Sequence, residues 1–250
     1  MSSPYDTYDY PNYWEGREYE HASEIISLKY FLDKIKEINN IVEVGAGFAR
    51  LTSSYIYRAK KIILTDPSSK LLSLAKKRFP ERKVNIIHST LDNLPNKLRR
   101  NSADLVILIR VLHHIKNLDK SFNTIGKILK KNGYFILEFA NKCHGKATAS
   151  EFAKGNFTFL HDIFPKDVKT HKSKKSNLPF LNYHPEVIKE KLKTHGFEVI
   201  DIRSVSNIRS AFIKKIIPTE IILPIEKLLQ KPLAKIYFGP SIFILAQKRG

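Results

Sequence analysis

The chain is expected to fold as an α/β protein on a doubly wound, mostly parallel sheet, and three features of its 250 residues point there. Between Ile41 and Phe139, short apolar runs alternate with helix-patterned stretches five times, as in a parallel sheet covered by helices on both faces. The first run, Ile41-Val42-Glu43-Val44, ends in Gly45-Ala46-Gly47, a tight turn that lets a ligand approach the backbone. The second run closes on Asp66, about twenty residues past that turn, where an acid in such a sheet meets ribose hydroxyls or, more simply, ends a strand before Pro67.

Taken in order, residues 1–20 interleave Tyr5, Tyr8, Tyr10, Tyr13, Trp14 and Tyr19 with acids. A disordered tail is poor in aromatics, so this segment is read as an aromatic flap over a site. Helical spacing of Ile25, Leu28, Phe31, Leu32 and Ile35 predicts a helix over 23–37. After the glycine turn, 51–59 reads as the first crossover helix, 61–66 as the second strand, and 68–79 as a helix stopped by Pro80. Strands follow at 83–88, 103–109 and 134–139, with a helix over 117–131 that Asn132-Gly133 ends. The stretch 141–180 breaks the rhythm; its lysines 166, 169, 172, 174 and 175 accompany Phe152, Phe157, Phe159 and Phe164, and it is read as a substrate-side cap. The lysines themselves are a solvated face or a phosphate-binding patch. Pro185 opens a helix that Gly196 stops, strands are expected at 197–202 and 241–247, and the prolines at 218, 224 and 232 divide 204–238 into short amphipathic pieces. Those pieces suit a helical cap, a dimer face or a peripheral membrane contact.

Composition narrows the classes. With 42% hydrophobic residues the chain is globular, and its length suits one domain over 1–250 with appended caps. Cys143 is the single cysteine, which excludes an internal disulfide or a multi-cysteine zinc site, predicts no metal, and suits a reducing, cytoplasmic setting. The start lacks the pattern of a secretory signal, and no apolar run reaches the roughly 18–20 residues of a membrane span. A formal charge of +19 marks a basic protein and admits RNA as a partner. Lysine greatly outnumbers arginine, however, and arginine is favoured for bidentate phosphate and base contacts.

Glu43, Gly45, Gly47 and Ala49 form a Glu-x-Gly-x-Gly-x-(Gly or Ala) pattern. It resembles the first motif of the class I S-adenosylmethionine-dependent methyltransferases, with Ala49 where that family has a third glycine. Arg50 stands where a dinucleotide loop needs a small residue, which disfavours NAD. The loop Ser89-Thr90-Leu91-Asp92-Asn93-Leu94-Pro95 resembles the family's adenine-side segment, with Thr90 where its carboxylate falls and Asp92 as the nearby acid. The fourth apolar run with Leu112-His113-His114 resembles the small-molecule, quinone-biosynthesis-type members, and 183–202 resembles the family's late helix and Gly-Phe strand. The resemblance implies a Rossmann-like, seven-stranded sheet of order 3-2-1-4-5-7-6 with the last strand antiparallel. It implies S-adenosyl-L-methionine as cofactor and S-adenosyl-L-homocysteine as product. The cofactor would meet Glu43, Gly45, Ala46, Gly47, Asp66, Pro67, Thr90, Leu91, Asp92 and Arg110. From the flap, Arg17 would meet the methionine carboxylate, and Tyr13 or Tyr19 would cover the sulfonium.

The implied activity is methyl transfer to oxygen or nitrogen of a small-molecule or glycan- or lipid-linked acceptor. An O-methyl transfer benefits from a base, for which His113, His114 and His161 are candidates; the other reading of the His113-His114 pair is a helix start held by structural hydrogen bonds. Ile109-Arg110-Val111-Leu112 replaces the Asn/Asp-Pro-Pro-aromatic motif of nucleobase N-methylating enzymes. Cys143 is the one candidate nucleophile for cytosine carbon-5 methylation. An RNA methyltransferase and a non-catalytic nucleic-acid- or partner-binding module are the alternatives.

Overall fold

A computed structural model describes residues 3–80, 83–168 and 179–250. Helix α1 (Glu18–Asp33) precedes β1 (Asn40–Val44), β2 (Lys61–Asp66), α2 (Ser69–Arg78), β3 (Val84–His88) and β4 (Ala103–Leu108). Then come α3 (Leu118–Ile128), β5 (Leu129–Ala140), α4 (Gly145–Ala153), α5 (Pro185–Thr194), β6 (Phe197–Val205), α6 (Ala211–Ile216), α7 (Thr219–Ala234) and β7 (Ser241–Lys248). These strands form one seven-stranded sheet of order β3-β2-β1-β4-β5-β7-β6, in which β7 runs antiparallel to both neighbours. The expected order and the antiparallel last strand are therefore both present.

The sheet is buried on both faces because its strands are apolar at consecutive positions. Ile41, Leu105 and Ile107 point to one core with Phe31 and Leu32 of α1, while Val42, Val106 and Leu108 point to another with Phe122 and Ile125 of α3. Caps follow sequence chemistry: Ser68 accepts from the Leu71 N–H, Asn117 from the Lys120 N–H, and Pro185 opens α5 behind His184.

Three local expectations need correction. Residues 51–59 form two 3-10 turns, Thr52–Ser54 and Ile56–Arg58, in place of a crossover helix. The Ser54 hydroxyl donates to the Leu51 carbonyl, and the Thr52 and Tyr55 hydroxyls turn to Glu43, so side chains compete with helical backbone bonds here. Helix α3 ends at Ile128, before Asn132-Gly133, because Leu129 already pairs with Ala103 and is buried in the sheet; Asn132 then takes a left-handed φ of 60° inside β5. Helix α7 runs through Pro224 and Pro232. Its Ile222, Glu226, Gln230 and Ala234 are buried beside α1 and β6, and that tertiary packing outweighs the local cost of proline.

Strand order reverses between β1 and β4, which opens a crevice at the carboxyl ends of these strands. The stretches after β1 to β6 emerge along this edge, among them the glycine turn and the long connections after β5 and β6. Of the expected cap, residues 169–178, with Lys169, Lys172, Lys174 and Lys175, lie outside the described residues.

Candidate active site

A cavity of about 320 Å³ occupies that crevice, within the roughly 300–1,000 Å³ usual for small-molecule sites. Its floor is the glycine turn, where Gly45 and Gly47 have φ of +70° and +56°. A Cβ on Gly45 would stand 2.2 Å from Val111 Cγ2, so a side chain there is strained by φ and requires Val111 to move. One on Gly47 would meet nothing nearer than 3.7 Å, so there the missing side chain leaves room on the cavity side.

Asp66 closes one wall. Its Oδ2 accepts the Gly47 N–H at 2.9 Å and its Oδ1 the Ser68 N–H at 2.7 Å, and each oxygen keeps lone pairs for a ligand hydroxyl. Burial pushes its carboxyl upward, opposed by those two backbone donors. Glu43 lines the cavity from beneath and accepts from the Thr52 hydroxyl at 3.0 Å and from Tyr55; burial raises its pKa to about 7.

The opposite wall is cationic. Arg50 and Arg110 both line the cavity and both bind the buried carboxylate of Glu24 in α1, with Arg110 Nε donating to Oε1 at 2.7 Å and Arg50 Nη2 pairing with Oε2. Trp14 lies under the Arg50 guanidinium, 3.5 Å from its ring centroid. Two guanidiniums share the Glu24 carboxylate beside the cavity, and Glu138, whose carboxyl burial pushes upward, is the next acid on Arg110. Burial alone would push the Glu24 carboxyl up, but Arg110 and Arg50 outweigh it and hold the group below its ordinary value. Arg110 also has a φ of 62°, rare for a residue with a side chain, and its N–H donates to Glu138 Oε2 at 2.8 Å.

The roof comes from the N-terminus. Ser3 caps a 3-10 turn over Pro4–Asp6, the Ser68 hydroxyl donates to Asp6 Oδ1 at 2.7 Å, and Ser3, Pro4, Tyr5 and Tyr10 line the cavity. The Tyr5 oxygen lies 2.6 Å from His114 Nε2, while His114 Nδ1 lies 2.8 Å from the Pro179 carbonyl oxygen. A carbonyl only accepts, so Nδ1 carries the proton; Nε2 presents its lone pair and Tyr5 donates to it. Burial lowers the His114 pKa, opposed by the Pro179 bond, so the ring is neutral.

Of the residues singled out in the sequence, Glu43, Gly45, Ala46, Gly47, Asp66, Pro67, Thr90, Arg110 and His114 lie together around the cavity. The others lie elsewhere. Leu91 packs against the α3-side core, and Asp92 faces solvent in an ion pair with Lys120 at 2.7 Å. Tyr13 stacks parallel on Tyr10 behind the lining, with Arg17 over its outer face. Tyr19 donates to Glu226 at 2.6 Å and accepts the Ile208 N–H, which ties α1 to α7 away from the cavity. His113 is buried against Phe180, with burial driving its pKa well down, and His161 is exposed in the 3-10 turn Phe159–His161. Cys143 is buried outside the lining, and burial pushes its thiol up to about 11.

Sequence reasoning missed Arg50 as a site residue, although it had marked Arg50 as misplaced for a dinucleotide loop. It also missed Tyr5 and Tyr10, choosing Tyr13 and Tyr19 from the same aromatic cluster. Glu24 carried no sequence signal beyond being an acid on the buried side of a helix.

Residues 42–137 match the family described as "Methyltransferase domain". That stretch holds the glycine turn and most of strands β1 to β5, and a methyltransferase domain of this Rossmann-like kind takes S-adenosylmethionine as its cofactor. Among particular proteins, the chain is similar to the ubiquinone/menaquinone biosynthesis C-methyltransferase of Campylobacter jejuni, 28% identical over 155 residues, covering 60% of this chain. It spans 64% of the length of that relative. Two solved structures share the fold. One is a Thermotoga maritima S-adenosylmethionine-dependent methyltransferase described as a possible histamine N-methyltransferase (TM-score 0.64, 18% identity, 96% of this chain and 95% of that one). The other is a chain of the complex containing the Haloferax volcanii Trm112 methyltransferase activator (TM-score 0.67, 14% identity, 100% of both chains).

Proposed function

We propose that this chain transfers the methyl group of S-adenosylmethionine to oxygen or nitrogen of a small-molecule or lipid- or glycan-linked acceptor. The observation that supports it most is the cavity at the β1–β4 switch point, where one wall accepts hydrogen bonds through Asp66 and the other is positive through Arg50 and Arg110. That polarity suits an amino-acid nucleoside: ribose hydroxyls donate to Asp66, and the carboxylate of the methionine part lies on the two guanidiniums. Arg50 and Arg110 take the role the resemblance gave to Arg17. The cofactor supplies an electrophilic methyl on a sulfonium, so the chain has mainly to align the acceptor and take one proton.

His114 and Tyr5 suit that last task. An acceptor hydroxyl in line with the methyl gives its proton to the Tyr5 oxygen as Tyr5 passes its own to His114 Nε2. The acceptor's O–C bond forms as the methyl–sulfur bond breaks, the electron pair staying on sulfur, and its O–H bond breaks to Tyr5. Pro179 fixes the imidazole in the tautomer that receives the proton. A neutral amine needs less of this help.

The roof of Tyr5 and Tyr10 favours a small acceptor, or the end of a lipid or glycan chain, over a polymer. The charge of +19 is what speaks for RNA. Calorimetry tests the central reading: S-adenosylmethionine and S-adenosylhomocysteine should bind, and Gly47→Arg or Asp66→Ala should abolish or greatly weaken it. A folded protein that binds neither would end the proposal. An RNA acceptor would require binding that falls steeply with salt.

A further inference from the structure

The sheet edge that holds the cavity also carries apolar surface that the site does not use. In α7, Ile222, Glu226, Gln230 and Ala234 recur every fourth residue and are buried. At about 100° per residue, the opposite crest carries Ile221, Pro224, Ile225, Leu228 and Pro232, all exposed. A helix packed on a water-soluble protein ordinarily shows polar groups on that side. Leu228 is 76% exposed, and Phe212 of the preceding α6 is 73% exposed.

A second apolar set follows β5. Phe157 and Phe164 are 71% and 75% exposed. This stretch is tied to the first where the Gly145 N–H donates to the Phe238 carbonyl at 2.8 Å, and within it Lys142 Nζ donates to the Phe164 carbonyl at 2.7 Å. Strands β5 and β6 both run antiparallel to β7, so their carboxyl ends lie on the edge where the glycine turn also emerges. The segments that carry both apolar sets therefore leave the sheet at the cavity's edge.

Charge identifies the occupant. Residues 209–238 hold six basic residues and two acids, and one of those acids, Glu226, is buried under α7. Lys227, Lys231 and Lys235 form a row every fourth residue along one flank of the crest, with the exposed Glu220 at its start. Lys231 pairs with Asp201, while Lys215, Lys227 and Lys235 make no ion pair among the described residues. A two-fold pairing of copies through this crest would set like charges against each other. RNA would satisfy the lysines and leave the crest in water. An anionic bilayer satisfies both, with apolar side chains at the acyl boundary and lysines at the headgroups.

We propose that this edge docks on an anionic membrane surface and presents the cavity to an acceptor held in the bilayer. The docking stands by itself; the acceptor's lipid character rests on the methyl-transfer reading.

Vesicle flotation without cofactor tests it, using vesicles of phosphatidylcholine alone and of phosphatidylcholine with phosphatidylglycerol in equal parts. The full chain should float with the anionic vesicles. Leu228→Ser, at a side chain left 76% exposed, should weaken vesicle affinity about tenfold. Gln at Lys215, Lys227 and Lys235 should weaken it roughly fivefold per lysine and remove the preference for anionic lipid. Absence of flotation, or flotation unchanged in Phe212→Ser/Leu228→Ser, would overturn the proposal. So would a dimer in solution that Leu228→Ser dissociates, which would give the crest to a second copy. Gly47→Arg should float like the parent, so a failure of cofactor binding and a failure of docking are read separately.

Discussion

Replacing Glu24 by Gln separates the charge of the cationic wall from its shape. Glu24 is fully buried, and its two oxygens hold Arg50 and Arg110, whose side chains are 11% and 25% exposed. Removing one partner of a buried ion pair typically costs about 3–5 kcal/mol, because the remaining charge is left uncompensated. Partial exposure of both arginines places this case near about 3 kcal/mol, measured by urea unfolding without ligand. If the methionine carboxylate lies on those guanidiniums, it supplies in the variant the charge that Glu24 supplied. Added S-adenosylhomocysteine should then stabilise Glu24→Gln more than the parent, by about 1 kcal/mol or more at matched ligand excess. Methylthioadenosine, which has the nucleoside but no carboxylate, should show no such gain. Equal or smaller stabilisation of the variant by S-adenosylhomocysteine would refute the charge argument and leave Glu24 as a group that only positions the arginines. A loss within about 0.5 kcal/mol would refute the burial argument as well.

Other outcomes follow from the same geometry. Tyr5→Phe and His114→Gln should each lower kcat about 10²–10⁴-fold for an oxygen acceptor while leaving S-adenosylhomocysteine affinity within a few-fold, and the double variant should be little worse than either single one; multiplicative losses would show that the two do not act as a unit. Gly45→Ala should cost about 2–5 kcal/mol, from a left-handed φ and from overlap with Val111. Adding Val111→Ala should recover about 1–3 kcal/mol of it, and strict additivity in a double-mutant unfolding cycle would reject the overlap. Glu43 titrates near 7 when folded and about 4.3 when unfolded, so its folded form holds a proton that the unfolded form releases. Its burial therefore costs stability progressively as pH rises from about 4.3 to 7, and Glu43→Gln should gain on the parent by about 1–3 kcal/mol over that window; a difference flat in pH would contradict it.

The fold was legible because it rests on repetition. Alternation of apolar runs and helical periods repeats across 41–139, and an error at one boundary leaves the sheet order intact. The departures came where one tertiary contact overrode local chemistry: Tyr55 and Thr52 turning to Glu43, Leu129 joining the sheet early, and α7 continuing through Pro224. At the site, legibility followed backbone logic. Gly45, Gly47 and Asp66 are required by a turn and a strand end, so they are visible in a short window. Arg50, Glu24 and Tyr5 meet across 26 to 109 residues of chain, and no local pattern reports such pairings.

The N-terminal segment then has two duties that constrain each other. It roofs the cavity with Ser3, Pro4, Tyr5 and Tyr10, and in the methyl-transfer reading it supplies Tyr5, so that the proposed proton path needs it in place. Its first turn is held to the sheet edge by the Ser68 hydroxyl and the Lys70 N–H on Asp6 and by Tyr5 on His114, hydrogen bonds of about 1 kcal/mol net each, and by the Tyr5 ring lying edge-on to His114. Its second half is held more firmly, with Tyr13 on Tyr10 and Trp14 under Arg50. The first turn is the part that carries the donor to His114. In the methyl-transfer reading, an acceptor that enters and lets this turn close assembles the proton relay around itself. Until then His114 faces water without its partner, and the acceptor proton has no path to it through Tyr5.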